Sequence, residues 1–399
     1  MKKILMLGGS DLQVSIIKLA KQLGHIVYTC DYLPDNPGHK YSDKYFNIST
    51  TDKEDVLELA RMLDIDGILS YASDPSSTTA AYVSEQLNLP GNNLNSVLTL
   101  AHKNLFREFQ KSNNLPHPKF KYFTKDEFNQ ASDFLKKYKN NFFLIKPVDA
   151  SGSKGVYEIK EATFNEDVFK KSISFSKQKT VIIEEFISKK GLQIGGDGFI
   201  VDGKLLFRCF GDIHFSKTNK FLPCSVSVPT IHSQFTIEKV HNEIQKIITL
   251  CGMKTGGLNF DVIINENDEV IVLEIGPRNG GNLLPELIHY CTGVDMRIFA
   301  IKACLGEDCS DLKMKTENKY FAHYVIHGLS DGRFDKITIS NYLEPFILYK
   351  NVNINKGDYI YKFENSSNRL GMLLLKFNTK SQMEDIIYNM HDYLVFNYE

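Results

Sequence analysis

Two acidic residues on neighbouring β-rich runs are the strongest chemical signal in the sequence. Phe260-Asp261-Val262-Ile263-Ile264 and Val270-Ile271-Val272-Leu273-Glu274-Ile275 flank the polar stretch Asn265-Glu266-Asn267-Asp268-Glu269. A hairpin with Asn267-Asp268 as its two-residue turn sets Asp261 opposite Glu274 on one face, with Cβ atoms about 4.5–5.5 Å apart. Two carboxylates that close, among apolar neighbours, repel each other. A divalent cation removes the conflict. Oxygen donors with no cysteine or histidine beside them suit Mg²⁺ or Mn²⁺ carrying a nucleotide's phosphates. The plainer reading is a solvated hairpin with two incidental acids.

Three further stretches carry related chemistry. Phe142-Phe143-Leu144-Ile145-Lys146-Pro147 is a strand ending in lysine, followed by Val148-Asp149-Ala150-Ser151-Gly152-Ser153-Lys154-Gly155. That loop of small residues offers backbone N–H groups to a polyphosphate. It lacks the spacing of a Walker A loop, and a simple glycine turn is the competing reading. Val181-Ile182-Ile183-Glu184-Glu185-Phe186-Ile187 is a strand that ends in two acids, a hinge whose backbone can bond the edge of a base. Finally, Arg278 follows Glu274 by four residues, before Gly280-Gly281, within reach of a phosphoryl group in transfer.

The elements that must position these residues alternate. Strands at 3–7, 26–30 and 67–70 are separated by helices at 11–23 and 51–63, with another helix at 76–87. The pattern predicts a parallel α/β sheet with right-handed crossovers. The pairs Thr51/Glu54, Thr124/Glu127 and Ser381/Glu384 have capping-box spacing and are expected to open helices. A helix is expected over 102–114, strands near 120–123, 142–146, 156–160 and 181–186, and a strand-rich region over 194–276 interrupted by a helix at 235–251. Gly9 and Ser10 after the first strand, and Ser73 and Asp74 after the strand at 67–70, lie at the strand ends where such sheets bind ligands. They are substrate-side candidates. Gly8-Gly9-Ser10 with Asp31 also suggests a nicotinamide site, but Val14 stands where the third glycine of that fingerprint belongs.

Taken in order, Lys103, Lys146, the small-residue loop, the acidic hinge, the paired acids and Glu-Ile-Gly-Pro-Arg resemble the ATP-grasp superfamily. The layout is similar to that of biotin carboxylase, carbamoyl phosphate synthetase, the formate-using glycinamide ribonucleotide transformylase and the amino-acid ligases. The resemblance implies an N-terminal α/β domain over 1–100, a two-lobed α+β grasp over 101–305 with a lid lobe at about 119–189, and a small C-terminal α+β portion over 306–399. It also implies site roles. Lys103 and Lys146 hold phosphates, Ser151, Gly152, Ser153, Lys154 and Gly155 form a mobile loop over them, and Glu184, Glu185 and Ile187 line the adenine site. Gln193 falls near a ribose position. Asp261 and Glu274 match the metal acids, and Arg278 the catalytic arginine. His102 departs from a common aspartate. Gly276 departs from a common asparagine, which leaves one ion well held or shifts coordination to Asn259 or water.

The implied activity is ATP-dependent ligation of a small-molecule carboxylate to an amine, less readily a thiol, through an acyl phosphate. The alternatives are a nucleotide sensor with reduced catalysis and a bicarbonate-phosphorylating carboxylase. The implied cofactors are ATP and Mg²⁺ or Mn²⁺, and a homodimer is one assembly the layout accommodates. Composition agrees with an ordinary globular protein: of 399 residues, 42% are hydrophobic and 24% charged. Lysine and arginine total 47 against 48 acids, so neither nucleic acid nor anionic membrane is an expected partner. No apolar run approaches the roughly 18 residues of a membrane span. Residues 1–9 read as a strand running into glycines rather than a signal peptide. Seven irregularly spaced cysteines suit a reducing compartment, and a cytoplasmic location is expected.

Overall fold

The computed structural model describes residues 1–138, 141–316 and 319–399. Near the N-terminus, β1 (Lys3–Leu7), β2 (Ile26–Cys30), β3 (Lys44–Phe46) and β4 (Gly67–Ser70) form a parallel sheet in the order β3-β2-β1-β4. Ile4, Leu5, Met6 and Leu7 are all fully buried, the pattern of a strand covered by helices on both faces. The helix Lys53–Leu63 is capped by Asp52, which accepts a hydrogen bond from the Asp55 N–H, one residue beyond the threonine expected to open it. The expected helix over 102–114 is instead the second of two, Leu94–Ala101 and Lys103–Ser112. His102 between them is extended (φ −106°, ψ 120°), so Lys103 opens a new helix.

The lid lobe is an antiparallel sheet of β5 (Phe120–Thr124), β6 (Phe143–Pro147), β7 (Tyr157–Ile159) and β8 (Thr180–Glu185), ordered β5-β8-β6-β7. Phe123, Leu135, Phe143, Ile145, Phe169 and Ile183 pack between this sheet and its two helices. The Glu127 carboxylate accepts from the Thr124 N–H and hydroxyl, but it closes a turn ahead of the helix Phe128–Lys136 rather than capping from within it.

The main sheet begins with β9 (Gln193–Val201), β10 (Lys204–Phe215), β11 (Pro223–Val228), β12 (Gly256–Ile264) and β13 (Val270–Gly276). The C-terminal segment adds β14 (Tyr320–Ile326), β15 (Gly332–Ile339), β16 (Ile347–Val352), β17 (Tyr359–Ile360), β18 (Gly371–Phe377) and β19 (Leu394–Tyr398). The eight-stranded order is β13-β12-β9-β10-β11-β14-β18-β16, so this sheet runs across the boundary expected at 305. β17-β15-β19 form a small sheet beside it. The last long helix, Lys380–Tyr388, is capped by Thr379 through the Gln382 N–H, and Ser381 lies inside it.

Alternation along β12 and β13 decides which side chains reach the site. Phe260, Val262 and Val272 pack with Val240, Ile244 and Ile248 of the helix Gln234–Cys251. Asp261, between Phe260 and Val262, points to the opposite face. On that side, Phe199, Phe207 and Ile213 join Ile4, Ile16, Leu287 and Ile301 in one cluster that fuses the N-terminal domain to the main sheet. Among the described residues, no helix is long and apolar enough to cross a membrane.

Candidate active site

A cavity of about 580 Å³ lies between the lid lobe, the main sheet and the N-terminal domain. Lys103, Lys146, Ser151, Gly152, Ser153, Lys154, Glu184, Glu185, Ile187, Gln193, Asp261, Glu274, Arg278 and Asp74 all line it. Gly155 closes the same loop but does not line the cavity, and the backbone is left-handed at Gly152, Ser153 and Gly155 (φ 67°, 58° and 71°). Gly9, Ser10 and Ser73 do not reach this cavity. The Ser10 N–H and hydroxyl both donate to Gln13 Oε1, at 2.8 and 2.6 Å, while Gln13 Nε2 donates to the Tyr71 carbonyl. Asp31 accepts from the Leu33 N–H and the Asn36 amide, so the glycine turn and its acid bond their own surroundings.

Asp261 pairs directly with Glu274 across the hairpin, by a different route from the one the sequence predicts. The turn is a three-residue loop, with Asn265 N–H donating to Glu269 O and Asp268 left-handed at φ 59°. This sets Ile264 against Val270, Ile263 against Ile271 and Val262 against Val272. A bulge at Leu273 then shifts the register by one, and Asp261 meets Glu274. Burial pushes the Asp261 carboxyl up to about 7, and the facing Glu274 adds to the rise. Two carboxylates on one face, open to the cavity, fit a Mg²⁺ ion brought in by phosphates, since that ion takes one or two protein carboxylates. Among the described residues, no group of three or more histidine, cysteine or acidic side chains forms a self-sufficient metal cage.

The cations are fixed by long-range partners. Lys103 Nζ donates to the Ala150 carbonyl at 2.8 Å and stands 4.0 Å from Glu274, while its own N–H bonds Val148 O. Lys146 Nζ lies 2.8 Å from Glu184 Oε2, and Arg107 Nε lies 2.9 Å from Glu184 Oε1. Burial pushes the Glu184 carboxyl up, but Arg107, Lys146 and Lys103 outweigh it and hold it at about 2. The Glu184 side chain is therefore spent on cations at the cavity floor. Glu185 turns outward to Lys119, at 3.2 Å. Arg278 Nε donates to Asp74 Oδ1 at 2.7 Å.

Two residues outside the predicted set complete the network. Arg107 is buried and donates to the Leu273 carbonyl, tying the floor to β13. Its position four residues after Lys103, on the same helix face, was the available signal. Asp197 is fully buried on β9, accepting from Asn259 Nδ2 at 2.8 Å and the Gly280 N–H at 2.7 Å. Burial raises its carboxyl to about 7 against the pull of those donors. An acid inside the run Gly195-Gly196-Asp197-Gly198-Phe199 was its sequence signature.

Residues 140–286, which hold most of these side chains, match the family model described as the ATP-grasp domain. The matched segment, residues 140–286, is an ATP-grasp domain. The formate-dependent phosphoribosylglycinamide formyltransferase of Prochlorococcus marinus (strain NATL2A) is 25% identical over 286 residues, covering 69% of this chain and 70% of that protein. The L-amino acid ligase of Bacillus licheniformis superposes with a TM-score of 0.81 at 18% identity, over 100% of this chain and 99% of that one. The biotin carboxylase domain of the Hydrogenobacter thermophilus 2-oxoglutarate carboxylase, solved with MgADP and bicarbonate, superposes at 0.76 and 14% identity over 99% and 90%. At these identities the two structures establish the ATP-grasp fold.

Proposed function

We propose that the protein is an ATP-dependent ligase that activates a small-molecule carboxylate as an acyl phosphate and joins it to an amine. The observation that carries this reading is the convergence of Lys103, Lys146, Asp261, Glu274 and Arg278 on one cavity. Phosphoryl transfer of this kind asks for positioning and charge neutralisation more than for an acid or base. Lys103 and Lys146 would neutralise phosphate oxygens. Asp261 and Glu274 would hold a divalent cation, which supplies further neutralisation when bound. Arg278, oriented by Asp74, would meet the charge that develops on the transferred group. The carboxylate oxygen attacks the terminal phosphorus as the bond to ADP breaks. The amine lone pair then attacks the acyl carbon, the carbon–oxygen bond to phosphate breaks, and the amine proton leaves with phosphate or solvent. The loop at 151–155 would exclude water from the acyl phosphate. The curated relative is named a formate-dependent phosphoribosylglycinamide formyltransferase, and the superposed structure an L-amino acid ligase. Both names agree with carbon–nitrogen bond formation, in a cytoplasmic setting. A phosphate-release screen of carboxylates paired with amines tests the reading. Release that needs both partners supports it, and nucleotide binding with no release for any pair favours a sensor.

A further inference from the structure

Asn259 lies directly opposite Gly276, one step along the same sheet face from the Asp261–Glu274 pair. It lines the cavity together with both acids. Its amide is not free to choose an orientation. Nδ2 donates to the Gly196 carbonyl at 3.0 Å and to Asp197 Oδ1 at 2.8 Å. A backbone carbonyl can only accept, so the nitrogen is fixed on that side and Oδ1 is turned away from it.

The surroundings hold this arrangement. Asp197 is fully buried and also accepts from the Gly280 N–H. A Cβ at position 280 would meet Asp197 Oδ1 at 2.6 Å and Asn259 Nδ2 at 3.0 Å, so glycine there lets the loop after β13 clamp both side chains. Across the hairpin, a Cβ at position 276 would come within 3.1 Å of Asp74 Oδ1 and of the Arg278 guanidinium carbon. The space opposite Asn259 is thus taken by the Arg278–Asp74 pair, so β13 offers no side-chain oxygen at this level of the hairpin, whereas Asn259 on β12 carries one.

We propose that Asn259 Oδ1 is a third, neutral oxygen ligand of the cation held by Asp261 and Glu274, with Asp197 as the positioning residue that aims it. This rests on the nucleotide reading above. A neutral oxygen adds coordination without adding charge to a site that already faces two carboxylates and incoming phosphates.

The test uses the full-length protein, ADP and Mn²⁺, with free Mn²⁺ followed by electron paramagnetic resonance and ADP binding by calorimetry. Asn259→Ala should weaken Mn²⁺ binding in the presence of ADP by about tenfold to a hundredfold, with metal-free ADP affinity unchanged. In protein grown with ¹³C-asparagine, bound Mn²⁺ should show a ¹³C hyperfine coupling that Asn259→Ala abolishes. Wild-type protein that binds ADP with metal but shows no such coupling would overturn the assignment without any variant having to fold. So would Asn259→Ala with unchanged Mn²⁺ affinity. Wild-type protein that binds no ADP under either condition would instead remove the nucleotide reading itself.

Discussion

Arg278 reaches out of the loop after β13 to donate to Asp74 at the start of the helix Asp74–Gln86 in the N-terminal domain. Its second anchor is the Asn279 carbonyl, at 3.1 Å from Nη1. A single carboxylate from another domain therefore sets the direction of the guanidinium. Asp74→Ala should leave Arg278 present but unaimed. The expected result is a drop in kcat of about 10- to 100-fold, the scale of a lost charge-assisted contact of roughly 1.5–3 kcal/mol. ADP affinity by calorimetry should stay within about twofold, because Asp74 does not hold the phosphate-side lysines. Unchanged turnover would separate this pair from the chemistry.

Lys146 and Glu184 make a second test. Lys146→Ala should weaken ATP binding by about 2–4 kcal/mol, the range for removing one member of a desolvated charge pair, as read by calorimetry with Mg²⁺. Glu184→Gln acts on the fold instead, since it leaves buried Arg107 and Lys146 with a neutral partner. A loss of about 3 kcal/mol in unfolding free energy is expected. Glu184 titrates lower in the folded protein, at about 2, so its contribution is present above the ordinary carboxylate range and fades as pH falls towards 2. The gap between wild type and Glu184→Gln in denaturant titrations should therefore narrow under acid.

The sequence legibly carried the alternating N-terminal elements, the lysine at the end of β6 and the facing acids, because each is a local pattern. What it concealed was register and direction. Nothing in the run Val270-Ile271-Val272-Leu273-Glu274 marks Leu273 as a bulge, and Asn267-Asp268 resembles a two-residue turn although the loop takes three. The expected acid pair emerges because the longer loop and the bulge offset each other. Strand ends suggested Gly9, Ser10, Ser73 and Asp74 as substrate-side residues, and of these four Asp74 alone lines the cavity. Only the tertiary fold could show that Ser10 turns to Gln13 while Asp74 turns to Arg278. Glu184 shows the same limit, since its partners Arg107 and Lys146 come from a distant helix and from a neighbouring strand.

The loop at 151–155 is seated on the C-terminal segment and on the connection between β10 and β11, with the Ser366 N–H donating to Gly152 O at 3.2 Å and the Ser153 hydroxyl to Phe221 O at 2.7 Å. A Cβ at position 152 would clash with the Ser366 hydroxyl. Gly152→Ala should unseat the loop through both that clash and the left-handed backbone at 152. Tryptic cleavage after Lys154 should then be faster than in wild type, and ATP with Mg²⁺ should slow cleavage in wild type more than in the variant. Equal cleavage of the two proteins would show that this seat does not order the loop.

Asp261 gives a pH-dependent test of the paired acids. Its carboxyl titrates near 7 in the folded protein against 3.8 as its ordinary value, so the native state holds a proton that the unfolded chain gives up. Stability from this group is complete below about pH 4 and is lost as pH rises through 7. Asp261→Asn keeps the shape and removes the charge. Without ligand the variant should match wild type below about pH 4 and exceed it at pH 8 by about 1–2 kcal/mol, less than the shift alone implies because the side chain borders an open cavity. Mg²⁺ with ATP reverses the order, since a bound cation favours the charged pair and stabilises only the protein that can hold it. Thermal unfolding at pH 8 should thus rank Asp261→Asn above wild type when empty and below it with saturating Mg²⁺-ATP. A variant that keeps the wild-type Mg²⁺-ATP shift would show that Asp261 and Glu274 do not share an ion.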